Sequence, residues 1–187
     1  MSTETSTLDA AEGTLLRWLH EQITLSWAAG SSRQDPLAGW AHQSVYELVL
    51  AHGRWCTPAP LPAGIWPLAE QECFANAADT EAAHPGLLYT EGFAMVEGLP
   101  MALAHAWCTT ADGDVVDPTW TDLPGAAYLG IPLARTGPRP THPTYPSVLE
   151  HPASAYPLLQ YGLAVDLVAA RGRAPLDRTL PEPWSSR

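Results

Sequence analysis

The sequence predicts an α+β fold, one antiparallel sheet of short strands with helices packed against it. Leu15, Leu16, Leu19, Ile23 and Trp27 make an i, i+4, i+8 apolar stripe near the N-terminal end, the pattern of an amphipathic helix. Three strand-like segments follow later, Leu87 to Glu97, Ala102 to Thr109 and Val115 to Thr119, across links too short for a crossover, which leaves antiparallel pairing. At 187 residues, 46% hydrophobic and 16% charged, the chain can bury one core and not two, so a single domain over 1–187 is expected.

The first helix should run from about Leu8 to Ala29 and stop at Gly30. A second is expected from Ser44 to His52: Ser44 and Glu47 have the spacing of a capping box, Val45, Leu48 and Val49 share a face, and Gly53 sits where a left-handed cap belongs. Four prolines and a glycine between Cys56 and Pro67 predict an irregular loop of the kind that frames a site or packs across a surface. Ala-rich residues from Cys73 to His84 predict a short helix, ended by Pro85-Gly86. The core therefore spans about 40–135. A proline-rich segment, 136–157, should hold no regular element, a C-terminal helix should occupy 158–171 with Leu159, Leu163 and Leu167 on one face, and 173–187 should be a loose tail.

Composition excludes several functions. All nine basic residues are Arg, so a Schiff-base lysine, a Ser-Lys dyad and a P-loop lysine are ruled out. A net charge of -11 disfavours nucleic acid, whose binding exchanges counterions for basic side chains. The longest apolar runs are too short to span a membrane, and the first residues have no basic and apolar secretory pattern, so the cytoplasm is the expected location. Cys56, Cys73 and Cys108 are odd in number and contain no CxxC pair, which fits neither a disulfide framework nor a zinc site. No GxGxxG, GxSxG or HExxH pattern occurs.

What remains is a thiol. Cys73 directly precedes a predicted helix, where unpaired N–H groups and the helix dipole favour an anion; a shift of the thiol pKa from about 8.5 to roughly 6 would make it mostly thiolate. Full activation requires a base and a group to orient it. Ala104-His105-Ala106-Trp107 and Val115-Val116-Asp117-Pro118-Thr119 supply an imidazole and a carboxylate on neighbouring strands. His105 and Asp117 face each other if the connection runs from Thr109 to Gly113, whereas a two-residue Asp112-Gly113 hairpin would turn Asp117 to the other side of the sheet.

A Cys opening an Ala-containing helix, a glycine-bearing strand (Tyr89-Thr90-Glu91-Gly92-Phe93), then His-Ala-Trp and Asp-Pro-Thr resembles the transglutaminase-like branch of the papain-like cysteine peptidases and acyltransferases. The resemblance covers Cys73 to Thr119. It implies a papain-like or transglutaminase-like fold with Cys73 as nucleophile, His105 as general base and Asp117 as orienting carboxylate. It also implies an oxyanion-stabilising side chain upstream of the cysteine, for which Gln43, Gln71 and Trp66 are the choices. Trp66 and Trp107 are candidate walls of an apolar cleft, and Tyr89 and Glu91 candidate lining residues. The expected chemistry is acyl transfer through a thioester on a peptide, amide or ester substrate, needing no metal and no organic cofactor. Water as second nucleophile makes a peptidase or amidase; an amine makes a transglutaminase-type acyltransferase. A binding module with an incidental triad is the non-enzymatic alternative. For Cys56 and Cys108 burial is the simpler explanation. His20, His42 and His52 fall on helical segments, and His84, His142 and His151 beside prolines.

Overall fold

A computed structural model describes residues 10–30, 37, 39–121, 125–140, 147–175 and 178–180. His142 lies outside them. Helix α1 (Ala10–Gly30) buries the predicted stripe, with Leu15, Leu19 and Ile23 fully enclosed. Helix α2 (Val45–His52) begins at the predicted cap, Ser44 Oγ accepting the Glu47 N–H at 3.3 Å. The Glu47 carboxylate accepts the Gln43 N–H at 2.9 Å and the Trp27 indole N–H at 2.5 Å, which ties α2 to α1. Gly53 is not the left-handed cap expected, since its φ is -62°. Glycine is needed there for space: a Cβ would lie 2.4 Å from the Val49 carbonyl oxygen.

Strands β1 (Arg54–Cys56), β2 (Leu88–Val96), β3 (Leu103–Thr109), β4 (Val115–Val116) and β5 (Gly125–Pro132) form one sheet in the order β1-β5-β2-β3-β4, with every neighbour antiparallel. β1 and β5 are additions to the sequence expectation. The predicted third strand is cut short after Val116, where the backbone leaves the ladder. The sheet curls until its margins meet, Thr57 donating its N–H to the Gly113 carbonyl at 3.0 Å and accepting that of Val115 at 2.9 Å.

The curl creates two cores. On the convex side Phe93, Met95, Ala106, Cys108, Leu129 and Ile131 join the apolar faces of α1, α2 and helix α3 (Cys73–Ala83), which starts where expected. On the concave side Cys56, Ala94, Trp107, Val115 and Tyr128 pack with Trp120. Two glycines permit this packing, Gly92 by letting the β5 backbone approach, since a Cβ there would lie 2.3 Å from the Leu129 carbonyl oxygen, and Gly130 by making room for a ring. Gly92 and Gly130 are paired across β2 and β5, and a Cβ on Gly130 would lie 2.6 Å from the Trp107 ring.

The C-terminal part departs from expectation. Helix α4 runs Pro152–Tyr161, not 158–171, so it occupies part of the segment expected to be irregular. Pro152 suits the first turn, Gly162 ends the helix at φ +81°, and Pro157 sits inside it at the loss of a backbone donor. A 3₁₀ turn (Val165–Leu167) follows. Residues 173–180 are no loose tail where described: Arg173 and Trp55 exchange backbone hydrogen bonds of 2.7 and 2.9 Å, Arg173 pairs with Glu12, and Arg178 donates to the Ala51 carbonyl at 2.6 Å. Residues 181–187 lie outside the described residues. No described helix is long and apolar enough to cross a membrane.

Candidate functional site

The β3–β4 hairpin decides which side Asp117 faces. Its ladder pairs Cys108 with Val116 and Thr109 with Val115, and the turn closes through Thr110 and Asp114 with Gly113 at φ +92°. This register lies between the two weighed from sequence. Extended, it sets Asp117 opposite Trp107 rather than opposite His105, one pair away along the same face. Period-two alternation therefore leaves both side chains on the concave side. They meet: His105 Nε2 and Asp117 Oδ2 are 2.7 Å apart and both side chains are buried.

Asp117 is held by four donors. Oδ1 accepts the Thr119 and Trp120 N–H groups at 2.9 and 3.2 Å, and Oδ2 accepts the Tyr128 hydroxyl at 3.0 Å beside the imidazole. Burial works to raise the carboxyl pKa, but the His105 hydrogen bond and charge, with the two backbone donors, outweigh it and hold it below its usual range. An ionised carboxylate only accepts, so Nε2 carries a proton, and Nδ1 is the ring nitrogen that Asp117 does not engage. Trp120 stacks on the imidazole with ring centroids 3.8 Å apart at 17°.

Cys73 comes from the other side of the sheet, at the first turn of α3. Beyond Val116, β4 no longer covers the margin of β3, and the Ala106 N–H, next to His105, is directed at the Cys73 thiol. The chain after Asp117 bends toward the same helix: Asn76 Nδ2 donates to Thr119 Oγ1 at 2.9 Å and to the Ala69 carbonyl at 2.7 Å, and Leu68 N–H donates to the Pro118 carbonyl at 2.8 Å. The thiol and the imidazole thus approach one sheet margin from opposite layers. Among the described residues they make no hydrogen bond.

Helix placement does not activate the thiol as expected. Burial pushes Cys73 up to about 11, and the Asp117 and Glu91 carboxylates add to the rise against the Ala106 and Phe74 N–H groups. The helix cap, Glu72, makes no side-chain hydrogen bond, and Gln71 before it has a left-handed φ of +64°. No other described non-glycine residue does.

The oxyanion candidates differ in setting. Gln43 precedes α2, Trp66 is 77% exposed, and Gln71 is exposed two residues before the thiol. Tyr89 and Glu91 do not line an open cleft. Glu91 is enclosed, accepting the Tyr89 hydroxyl at 2.6 Å, the Val148 and Leu149 N–H groups at 2.9 Å and the Ser147 hydroxyl, so it anchors residues 147–149 to β2. Alternation along β2 conceals that role, because the partners come from a segment 56 residues later. Trp107 is buried beneath the site, not at its rim. Cys56 and Cys108 are packed away, their thiols pushed up by burial to about 11 and about 12, and Cys108 donates to the Ala77 carbonyl. The described residues contain no cluster of three or more His, Cys, Asp and Glu suited to a metal.

Beside the Asp117 carboxylate lies a cavity of about 440 Å³, lined by Pro58, Pro60 and Leu61 of the proline-rich loop and by Trp120 and Tyr128. Of the two roles the sequence leaves open for the loop, its place on the cavity fits the first, while nothing in the sequence pattern places Tyr128 there. The spacing Asp117-Pro118-Thr119-Trp120, an acidic residue followed at the third position by an aromatic one, was the available signal for Trp120. Comparison with protein-family models, curated proteins and solved structures finds no match.

Proposed function

We propose that the chain is a cysteine-dependent hydrolase of amides or esters, working on a papain-like or transglutaminase-like scaffold with Cys73 as nucleophile, His105 as base and Asp117 as orienting group. The observation that carries this reading is the buried 2.7 Å bond between His105 Nε2 and Asp117 Oδ2, in a hairpin whose Ala106 N–H is directed at the Cys73 sulfur. A residue in left-handed conformation just before the nucleophile supports it, because backbone strain collects at functional sites. The three free thiols fit a reducing compartment such as the cytoplasm.

A thiol raised to about 11 is protonated at neutral pH, so its proton must leave as the new bond forms. His105 Nδ1 takes the Cys73 proton while sulfur attacks the carbonyl carbon, and N–H groups at the start of α3 receive the oxyanion. As the tetrahedral intermediate collapses, the carbon–nitrogen or carbon–oxygen bond breaks and His105 protonates the leaving amine or alcohol. Water then attacks the thioester, gives a proton to Nδ1, and the acid departs with the thiol restored. Sulfur and Nδ1 must close to hydrogen-bond reach for the first step, a movement that substrate binding drives in this reading.

The absent sulfur–imidazole bond and the high thiol pKa favour one second reading, a binding module on the same scaffold. Two measurements decide. Iodoacetamide should label Cys73 ahead of Cys56 and Cys108, with a rate that climbs as pH approaches 11. A panel of peptides, amides and esters, with and without an added amine, should show turnover that falls at least about 1,000-fold in Cys73→Ala while the circular dichroism is unchanged. Dependence of product on the amine would mark an acyltransferase, and turnover untouched by Cys73→Ala would refute the hydrolase.

A further inference from the structure

The cavity beside Asp117 has a composition that selects its occupant. Pro58 and Pro60 offer no backbone N–H, and their rings, with Leu61, make one wall apolar and rigid. Trp120 and Tyr128 line the cavity as well. Besides the Trp120 indole, three polar side chains line the space: Asp117 and Tyr128 are already engaged, and Thr121 is an exposed neutral hydroxyl. Asp117 accepts four hydrogen bonds, which fills a carboxylate's lone-pair sites, while the Tyr128 hydroxyl donates to Asp117 and accepts the Gly125 N–H at 3.0 Å. An anion would meet the ionised Asp117 carboxylate and a cation would find that carboxylate's lone pairs already filled, whereas a neutral ring would exchange water for the Trp120 and Tyr128 rings. Trp120 lines the cavity and also stacks on His105, so an occupant sits one ring away from the imidazole.

We propose that this cavity is a recognition subsite for a neutral, ring-bearing side chain of the substrate. The assignment as a substrate subsite rests on the hydrolase reading, while the chemistry of the occupant rests on the cavity alone. Its selectivity runs against the field of the molecule: a net charge of -11 attracts cations to the surface at large, so preference for a neutral ring over the matching cation marks the cavity itself.

The test is equilibrium binding to the full ¹⁵N-labelled chain, followed at the Trp120 indole N–H resonance, assigned by its disappearance in Trp120→Phe. The probes are N-acetyl-L-phenylalanine amide (neutral), phenethylamine (cation) and N-acetyl-L-phenylalanine (anion). The neutral amide should shift the resonance saturably, with at least about ten-fold tighter binding than either charged probe. Ala59→Phe and Thr121→Phe, at two residues that line the cavity, should each weaken the amide at least about ten-fold, and either suffices if the other fails to fold. Equal or tighter binding of a charged probe, no saturable shift with any probe, or indifference to both fillings would overturn the proposal. Binding is read without turnover, so a chain that takes the amide yet hydrolyses nothing would refute the hydrolase reading and leave the subsite standing; Cys73-dependent turnover without ring binding would do the reverse.

Discussion

At the scale of single residues, the carboxylate is better prepared than the thiol. Asp117 is surrounded by donors, and Tyr128, brought by a strand on the far side of β2, adds one that the Asp-Pro-Thr motif does not foretell. Removing that hydroxyl should weaken the preference for the ionised form: in Tyr128→Phe the Asp117 pKa is expected to rise, measurable by ¹³C-detected titration of the side-chain carboxyl. Stability should fall by about 1–2 kcal/mol in urea unfolding, because the Gly125 N–H loses its acceptor as well. An unchanged Asp117 titration would show that Tyr128 only fills space. Cys73 contrasts with this, since burial and two carboxylates oppose its ionisation, and nothing in a local helix-start pattern reveals their proximity.

At the scale of elements, the concave core depends on backbone approach that only glycine permits. Gly130→Ala should cost about 1–3 kcal/mol, because the new Cβ meets the Trp107 ring at 2.6 Å and the Glu91 carbonyl at 2.9 Å, while Gly86→Ala, with nothing within 4 Å, should stay within about 0.5 kcal/mol. Equal midpoints for the two in urea would contradict this account. Elements with local signals were legible: α2 from Ser44 and Glu47, α3 from its alanines and Pro85, and β2 and β3 from their apolar runs. β5 was not, because a strand buried on both faces, Ala126-Ala127-Tyr128-Leu129-Gly130-Ile131, lacks the alternation that announces a half-exposed one. β1 is three residues long and is defined by its partners. α4 lies earlier than the Leu159, Leu163 and Leu167 stripe suggests, because Pro152 and Gly162 mark its true ends. For the site, residue order along the chain disclosed the His105–Asp117 contact. The layer from which Cys73 comes, and the aromatic wall beside Asp117, depend on how the sheet bends.

At the scale of the molecule, three buried carboxylates link stability to pH, two with one sign and one with the other. Burial opposes ionisation of Glu81, but Arg139, at 2.6 Å, and the Tyr89 N–H hold it below its ordinary 4.5, as donors hold Asp117 below 3.8. Their stabilisation is in full above those ordinary values and is lost as pH falls through the lower folded ones. Glu91, raised by burial, contributes with the opposite sign, in full below 4.5 and lost as pH rises through its folded value. Arg139→Ala should therefore cost about 3 kcal/mol at pH 7, where it strands a buried charge, and less at pH 3, where Glu81 takes up a proton. Thermal unfolding of both chains across that range reads the difference, and a penalty independent of pH would sink the linkage.

The clasp between Thr57 and the Gly113–Val115 turn also bears on solubility at high concentration. An open sheet ends in rows of unmet amides and carbonyls that invite a foreign strand, the first event in fibril growth. Here the terminal strands are two and three residues long, and the curl brings the backbone beside one into contact with the other. A chain so rich in tryptophan thereby offers little template on which another copy could stack.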